Sequence, residues 1–135
     1  MAEALLKAEP KAAGWQVGSA GTCATDGAPA SLGSQDAVRK FGLGLESHRS
    51  QQFTRTHAEE SDLIIALTRD HYQHIIALFP FAREKTLLLG SFLPAKRDKG
   101  KDIDDPIGGP AATYAATCAT IALAIPHLAD YLSTL

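Results

Sequence analysis

Short apolar runs alternate with helically spaced apolar positions along this chain. Leu63–Leu67 is an unbroken apolar run between two polar residues, which is typical of a strand covered on both faces. Thr86–Leu89 has a similar character, and the roughly alternating run Trp15–Ser19 predicts a further strand that enters a tight turn. The pattern therefore predicts three strands.

Helical segments separate these strands. Strong helix formers fill residues 2–8, and Arg69–Phe79 has apolar residues at helical spacing before Pro80. Other helices are predicted from Ser31 or Ser34 to Phe41, over 56–61, and from Pro110 to Leu135. Because strands that alternate with helices build parallel sheets, the predicted fold class is α/β, a three-layer sandwich with helices on both faces of a parallel sheet.

The composition fits a packed soluble domain. The chain has 135 residues, 45% of them hydrophobic and 21% charged, and this length predicts a single domain over residues 1–135. A net charge of -2 gives no general attraction for nucleic acid or for an anionic membrane. The first residues lack the apolar block of a secretory signal, and no segment holds the roughly 20 consecutive apolar residues of a membrane span. A cytoplasmic protein without a nucleic-acid or membrane partner is expected.

The cysteines and histidines predict no metal and no cofactor. Cys23 and Cys118 are too few for a disulfide framework and lack ligand spacing, so we expect reduced thiols that are buried or half-buried. His71 and His74 lie three residues apart on a predicted helix, but no third ligand is spaced to join them. An exposed polar face is the favoured interpretation of the two histidines.

A long charged loop over residues 94–110 precedes the last helix, and loops of this length in compact domains are often functional. Its basic run Lys96–Lys101 has two interpretations: a solvated loop, which is favoured, or a surface for an acidic partner or phosphoprotein. The following segment, Asp104–Gly109, also has two interpretations. It is either an ordinary turn before the helix or an acid-bearing loop that its glycines allow to close on a substrate.

Five short motifs follow one another in a fixed order. They are Met1–Leu6, the Ser-Ala-Gly-Thr turn at Ser19–Thr22, Asp26–Ala30, Ser47–Ser50 and the Asp-Asp-Pro-Ile-Gly-Gly segment at Asp104–Gly109. This set resembles the low-molecular-weight protein phosphatase family over nearly the whole chain. The Ser-Ala-Gly-Thr turn and the late Asp-Pro are its most specific elements.

The resemblance implies a nucleophile that this chain lacks. In the family, a first strand leads into a Cys-x5-Arg-Ser phosphate loop, and Met1 falls on a methionine just after that loop. Neither Cys23 nor Cys118 begins a Cys-x5-Arg segment. We therefore expect an N-terminally truncated domain without its first, central strand, and the gap left by that strand predicts self-association.

The resemblance also assigns further site residues. It makes Asp105 the general acid and base, with Asp104 as the fallback if the alignment is shifted by one residue. It implies a small pocket wall at Ile107. Ser19 and Thr22 end one predicted strand and the acid-bearing loop follows another. Because the carboxyl ends of parallel strands share one edge where ligands bind, Ser19 and Thr22 are substrate-binding candidates, although a turn or cap is the favoured interpretation of each alone. The Asp-Pro-x-Gly-Gly pattern looks more like the bacterial branch, which includes protein arginine phosphatases, so the phosphoprotein substrate carries phosphotyrosine or phosphoarginine.

Three functions remain open from the sequence. The first is a phosphomonoesterase that acts through a cysteinyl-phosphate, inactive in this chain alone because the nucleophile is absent. The second is a non-catalytic regulatory or interaction domain. The third, arsenate reduction on the same scaffold, needs a redox cysteine relay that the two cysteines do not suggest.

Overall fold

The computed structural model describes residues 1–135. Its helices and strands are α1 (Ala2–Lys7), α2 (Leu32–Arg39), α3 (Arg55–Glu60), β1 (Ile64–Ala66), α4 (Arg69–Leu78), β2 (Thr86–Leu88) and α5 (Ala111–Leu132). Short 3₁₀ turns lie at Pro10–Ala12, Pro80–Lys85, Leu89–Phe92 and Lys96–Asp98. The helices predicted from the sequence are all present, and no end is shifted by more than three residues.

The sheet pairs β1 with β2 in parallel, with Ile64 opposite Thr86 and Ala66 opposite Leu88. Side chains of β1 alternate between two apolar clusters, as the pleat of a strand requires. Ile64 and Ala66 join a cluster with α3 and α4, while Ile65 packs against the larger cluster of α1, α2 and α5. Helices therefore cover both faces of the sheet, and the predicted α/β class is confirmed.

The strand predicted at Trp15–Ser19 does not form, so the sheet has two strands and not three. Residues 16–20 join no ladder, and the first bridge pairs Gly21 with Gln52. A strand is defined by backbone hydrogen bonds to a neighbour, and this segment has no strand beside it. The edge of β1 that faces away from β2 likewise has no strand partner.

Helix α5 supplies much of the larger core. Cys118, Ile121 and Leu128 are each at most 2% exposed, and Pro126 lies inside the helix without ending it. By length and composition α5 is apolar enough to cross a membrane, but a core helix passes the same test and one such helix is weak evidence for a span. The predicted burial of Cys118 is confirmed.

The expectation that Cys23 is buried or half-buried is wrong. Cys23 is exposed, because it lies in an irregular surface segment after the Gly21 bridge. Phe41 is also exposed, at 46%, where the chain turns at Gly42 after α2.

Candidate active site

The Asp-Pro segment is held at the carboxyl end of β1. We call residues 101–109 the acid loop. The Ile103 N–H donates to the Leu67 carbonyl at 2.9 Å, and the Arg69 N–H at the start of α4 donates to the Asp102 carboxylate at 2.9 Å. Ile103 itself is buried. Since ligands of parallel α/β sheets bind beyond the carboxyl ends of strands, the acid loop lies where such a fold places its site.

Gly90, which follows β2, packs against the start of the acid loop. The Gly100 N–H donates to the Gly90 carbonyl at 2.9 Å. A Cβ added at Gly90 would lie 1.9 Å from the Lys101 carbonyl oxygen, far inside van der Waals contact. The backbone of the acid loop therefore packs directly on a position that only glycine fills.

Gly90→Ala is expected to destabilise the fold by about 1–3 kcal/mol, because the new methyl group displaces the Lys101 carbonyl and strains the entry to the acid loop. Urea unfolding followed by circular dichroism measures the change. The matched control is Gly14→Ala, where a Cβ meets no atom within 4 Å; its stability should change by less than about 1 kcal/mol. Equal effects of the two substitutions would show that Gly90 does not constrain the loop.

Asp105 lies in an ordered turn at the protein surface. One carboxylate oxygen, Oδ1, accepts from the Ile107 N–H at 3.0 Å, and the Gly109 N–H donates to the Pro106 carbonyl at 2.8 Å. Gly108 has φ of 75°, a conformation that glycine adopts without cost. The second oxygen of Asp105 has no hydrogen-bond partner in the chain, so it is free to contact a ligand. Asp104 is exposed and has no hydrogen-bond partner either.

The acid loop and α5 enclose a shallow cleft of about 270 Å³. Its walls include Asp102, Asp104 and Asp105 of the acid loop and three threonines of α5, which are Thr113, Thr117 and Thr120. Both predicted acid residues therefore line one cleft. Ile107 does not line it and is 78% exposed.

The start of α1 lies within electrostatic reach of Asp105. Burial lowers the pKa of the Met1 amino group, and the charges of Cys118, Glu3 and Asp105 oppose that effect. The same environment acts on the Cys118 thiol, whose pKa is raised by burial against the opposing charges of the Met1 amino group and Lys40. The beginning of α1, the buried thiol and the acid loop are thus neighbours.

Ser19 and Thr22 lie apart from the acid cleft. Ser19 lines a second cleft of about 570 Å³ between α1 and the segment 43–51, and its hydroxyl donates to the Glu3 carboxylate. The Thr22 carbonyl accepts from the Gln52 side chain at 2.8 Å. The structure therefore brings Asp104 and Asp105 together, and it does not bring Ser19 or Thr22 into their cleft.

Glu3 is a residue whose importance the sequence did not reveal. Its side chain is 16% exposed, accepts from Lys7 at 2.6 Å and from Ser19, and lies 3.6 Å from His48 Nδ1. Partial burial would raise the pKa of the Glu3 carboxyl, but hydrogen bonds from Lys7 and Ser19 and the nearby charges lower it overall. Glu3 ties α1 to the Ser19 turn and to the 43–51 segment. The only sign of this role in the sequence is that Glu3 lies within the Met1–Leu6 motif.

The structure offers no metal site. No group of three or more His, Cys, Asp or Glu side chains is placed to hold one ion. His71 is half-buried and His74 is exposed. The absence of a bound cofactor stays a prediction.

Comparison with known proteins gives the family. The family described as low molecular weight phosphotyrosine protein phosphatase matches residues 1–134. A protein-arginine-phosphatase from Geobacillus stearothermophilus is 34% identical over 134 residues, which are 99% of this chain and 87% of that protein. This chain therefore belongs to the low-molecular-weight phosphotyrosine protein phosphatase family.

Solved structures agree with this assignment. The YwlE arginine phosphatase from Geobacillus stearothermophilus superposes with a TM-score of 0.86 at 34% identity, over 98% of this chain and 83% of that one. The tyrosine phosphatase Wzb from Escherichia coli K30, in complex with sulphate, has a TM-score of 0.86 at 27% identity, over 97% of this chain and 87% of that one. The predicted fold and protein phosphatase class are confirmed. The matches do not by themselves support the predicted N-terminal truncation.

Proposed function

We propose that these residues supply the acid half of a phosphoprotein phosphatase site, with Asp105 as the general acid and base. The observation that carries the proposal is the anchoring of the acid loop: Asp102 and Ile103 fix it to the end of β1, while Asp105 stays exposed with one free carboxylate oxygen. A proton donor must be positioned and accessible at once. Asp104 remains the fallback, because it lines the same cleft.

The proposed reaction has two steps. A cysteine thiolate attacks phosphorus and the bond to the leaving group breaks, while Asp105 gives its proton to the leaving atom. Water then attacks the cysteinyl-phosphate, and the Asp105 carboxylate takes a proton from that water, releasing phosphate and the thiolate. The protonated carboxyl of Asp105 is thereby restored for the next cycle.

The nucleophile and the phosphate-binding arginine are proposed to come from a segment that is not among these 135 residues. Burial raises the pKa of the Cys118 thiol, which is the opposite of what a nucleophilic thiolate requires. Cys23 is exposed, and the first arginine after it is Arg39. Neither cysteine fits a Cys-x5-Arg loop. A sequenced gene would test this at once: an in-frame stop just before the Met1 codon would refute the upstream segment.

We propose phosphoarginine as the first substrate class and phosphotyrosine as the second. Relatives of both kinds match this chain, and the small Ile107 after Asp105-Pro106 provides no aromatic wall for a phenyl ring. Ser19 and Thr22 remain proposed substrate-side residues only through their position at the end of the segment predicted as a strand, since they lie outside the acid cleft.

The test uses a fusion protein. The N-terminal residues of the Geobacillus stearothermophilus enzyme, up to the position that aligns with Met1, are joined to Met1 of this chain. We call this protein the loop-bearing fusion. Phosphate release from a phosphoarginine peptide is expected to exceed release from the matching phosphotyrosine peptide at least about tenfold in kcat/KM. A preference of similar size for the phosphotyrosine peptide would reverse the substrate order. Release from neither peptide by a folded fusion would contradict the proposed phosphatase function.

A second candidate is a non-catalytic interaction domain, which the absence of a Cys-x5-Arg segment favours. We also propose that residues 1–135 form one domain, that the protein acts in the cytoplasm, as its free cysteines suggest, and that it self-associates through the unpaired edge of β1.

A further inference from the structure

Five cationic side chains lie together at the start of the acid loop and just before it, and we call them the basic patch: Arg69, Lys96, Arg97, Lys99 and Lys101. All five are exposed. The patch is ordered by backbone hydrogen bonds, since the Lys101 N–H donates to the Asp98 carbonyl at 3.0 Å and the Gly100 N–H to Gly90. A Cβ at Gly100 would lie 3.5 Å from the Arg69 guanidinium, which places Arg69 against this turn.

The two carboxylates within the patch are already bound. Asp98 accepts from Lys101 at 2.7 Å and lies 3.8 Å from Arg97, and the Lys101 hydrogen bond lowers its pKa despite some desolvation. Asp102 accepts from the Arg69 backbone N–H. Over Arg69 and residues 96–102, five cations against two carboxylates leave a net charge of +3 in a chain whose total is -2, and the exposed carboxylates of Asp70, Asp104 and Asp105 adjoin this segment. The side chains of Arg69, Lys96 and Lys99 have no carboxylate within 4.0 Å.

The patch lies at the same edge of the sheet as the proposed acid. Arg69 opens α4 directly after β1, and Ile103 connects the basic turn to Leu67 at the end of that strand. Lys101 precedes Asp105 by four residues, so their backbones are at most about 14 Å apart. A peptide whose phosphorylated residue reaches Asp105 can therefore reach Lys101 at the edge of the patch with a residue about four positions away.

We propose that the basic patch docks an acidic segment of the phosphoprotein substrate, flanking the phosphorylated residue. This rests on the proposed function, which it extends from the chemistry of the phosphoryl group to the sequence around it. Opposite charge on a substrate raises its local concentration and selects among substrates. The favoured substrates are segments with Glu or Asp a few residues from the phosphorylated side chain.

A short acidic peptide fits this surface better than a nucleic acid. The basic turn spans six residues, 96–101, and holds no aromatic side chain on which a base stacks. Phosphate contacts along a nucleic acid need cations spread over a longer track, whereas the rest of the chain is net negative.

The test measures binding of a fluorescent peptide that contains six glutamates and no phosphate, by anisotropy at low salt. We expect wild-type protein to bind it and to bind the glutamine version of the same peptide at least about tenfold more weakly. The Lys96→Glu/Lys99→Glu variant should lose at least about tenfold in affinity for the glutamate peptide, and raised salt should weaken the wild-type complex.

The matched control is Lys40→Glu/Arg83→Glu, which changes the total charge equally at two other exposed cations that have no carboxylate partner. It should bind within about twofold of wild type. Any of three results would overturn the proposal. They are an equal loss of affinity in both variants, no binding of the glutamate peptide by wild type, and tighter binding of a single-stranded oligonucleotide of equal charge than of the peptide. The peptide has no phosphate, so its binding does not depend on catalysis. If the chain binds the peptide but the loop-bearing fusion has no phosphatase activity, the docking proposal stands and only the proposed phosphatase function is rejected.

Discussion

The Asp105→Asn variant of the loop-bearing fusion is expected to lose about 10²- to 10⁴-fold in kcat for a phosphomonoester with a poor leaving group. The asparagine oxygen can still accept from the Ile107 N–H, so the turn around Pro106 should persist. What the amide cannot do is give a proton to the leaving atom or take one from water. Steady-state phosphate release measures the loss, and the circular dichroism spectrum should be unchanged.

Asp104→Asn is the matched control for this variant. Asp104 is adjacent, exposed and lines the same cleft, but no backbone N–H orients its carboxylate. Its activity should stay within about threefold of the parent fusion. A large loss at Asp104 with little loss at Asp105 would move the acid role to the fallback residue.

The 135-residue chain alone is expected to hydrolyse p-nitrophenyl phosphate at least about 10⁴-fold more slowly than the loop-bearing fusion. The reason is the lack of a thiolate in a Cys-x5-Arg loop, since Cys118 is buried and Cys23 has no arginine nearby in sequence. Cys23→Ser and Cys118→Ser should leave the residual rate of the chain unchanged. A rate close to that of the fusion, lost on either substitution, would refute the absence of a nucleophile.

The same preparation tests self-association. The unpaired edge of β1 and the segment 16–20 carry backbone groups without strand partners. Such edges favour association with another chain. Sedimentation velocity is expected to show dimers or larger species for the chain and a monomer for the fusion. A monodisperse monomer of the chain at high concentration would contradict this expectation.

Much of the fold was predictable because its signals are local. The run Leu63–Leu67 is apolar throughout since both faces of β1 are covered, and α4 has apolar residues at helical spacing. Trp15–Ser19 has the composition of a strand, but strand formation depends on a neighbour that local sequence does not describe. The prediction there was wrong for that reason.

The site was only partly predictable for a related reason. The Asp-Pro motif located the acid loop, and the structure shows that distant residues hold it, above all Gly90 and the β1 terminus. The role of Glu3 depends on contacts with Ser19 and His48, which lie 16 and 45 positions away in sequence. The expected shared edge of the parallel sheet grouped Ser19 with the acid loop, whereas the structure places Ser19 in a different cleft.

The most direct test of Asp105 as the general acid compares leaving groups. Rates of the loop-bearing fusion and its Asp105→Asn variant are measured on aryl phosphates whose phenols range from strongly acidic to weakly acidic. A weakly acidic phenol needs a proton as it leaves, and a strongly acidic one does not. The ratio of the parent rate to the Asp105→Asn rate is therefore predicted to fall to about tenfold or less for the most acidic phenols. A ratio of the same size for every phenol would contradict proton donation by Asp105.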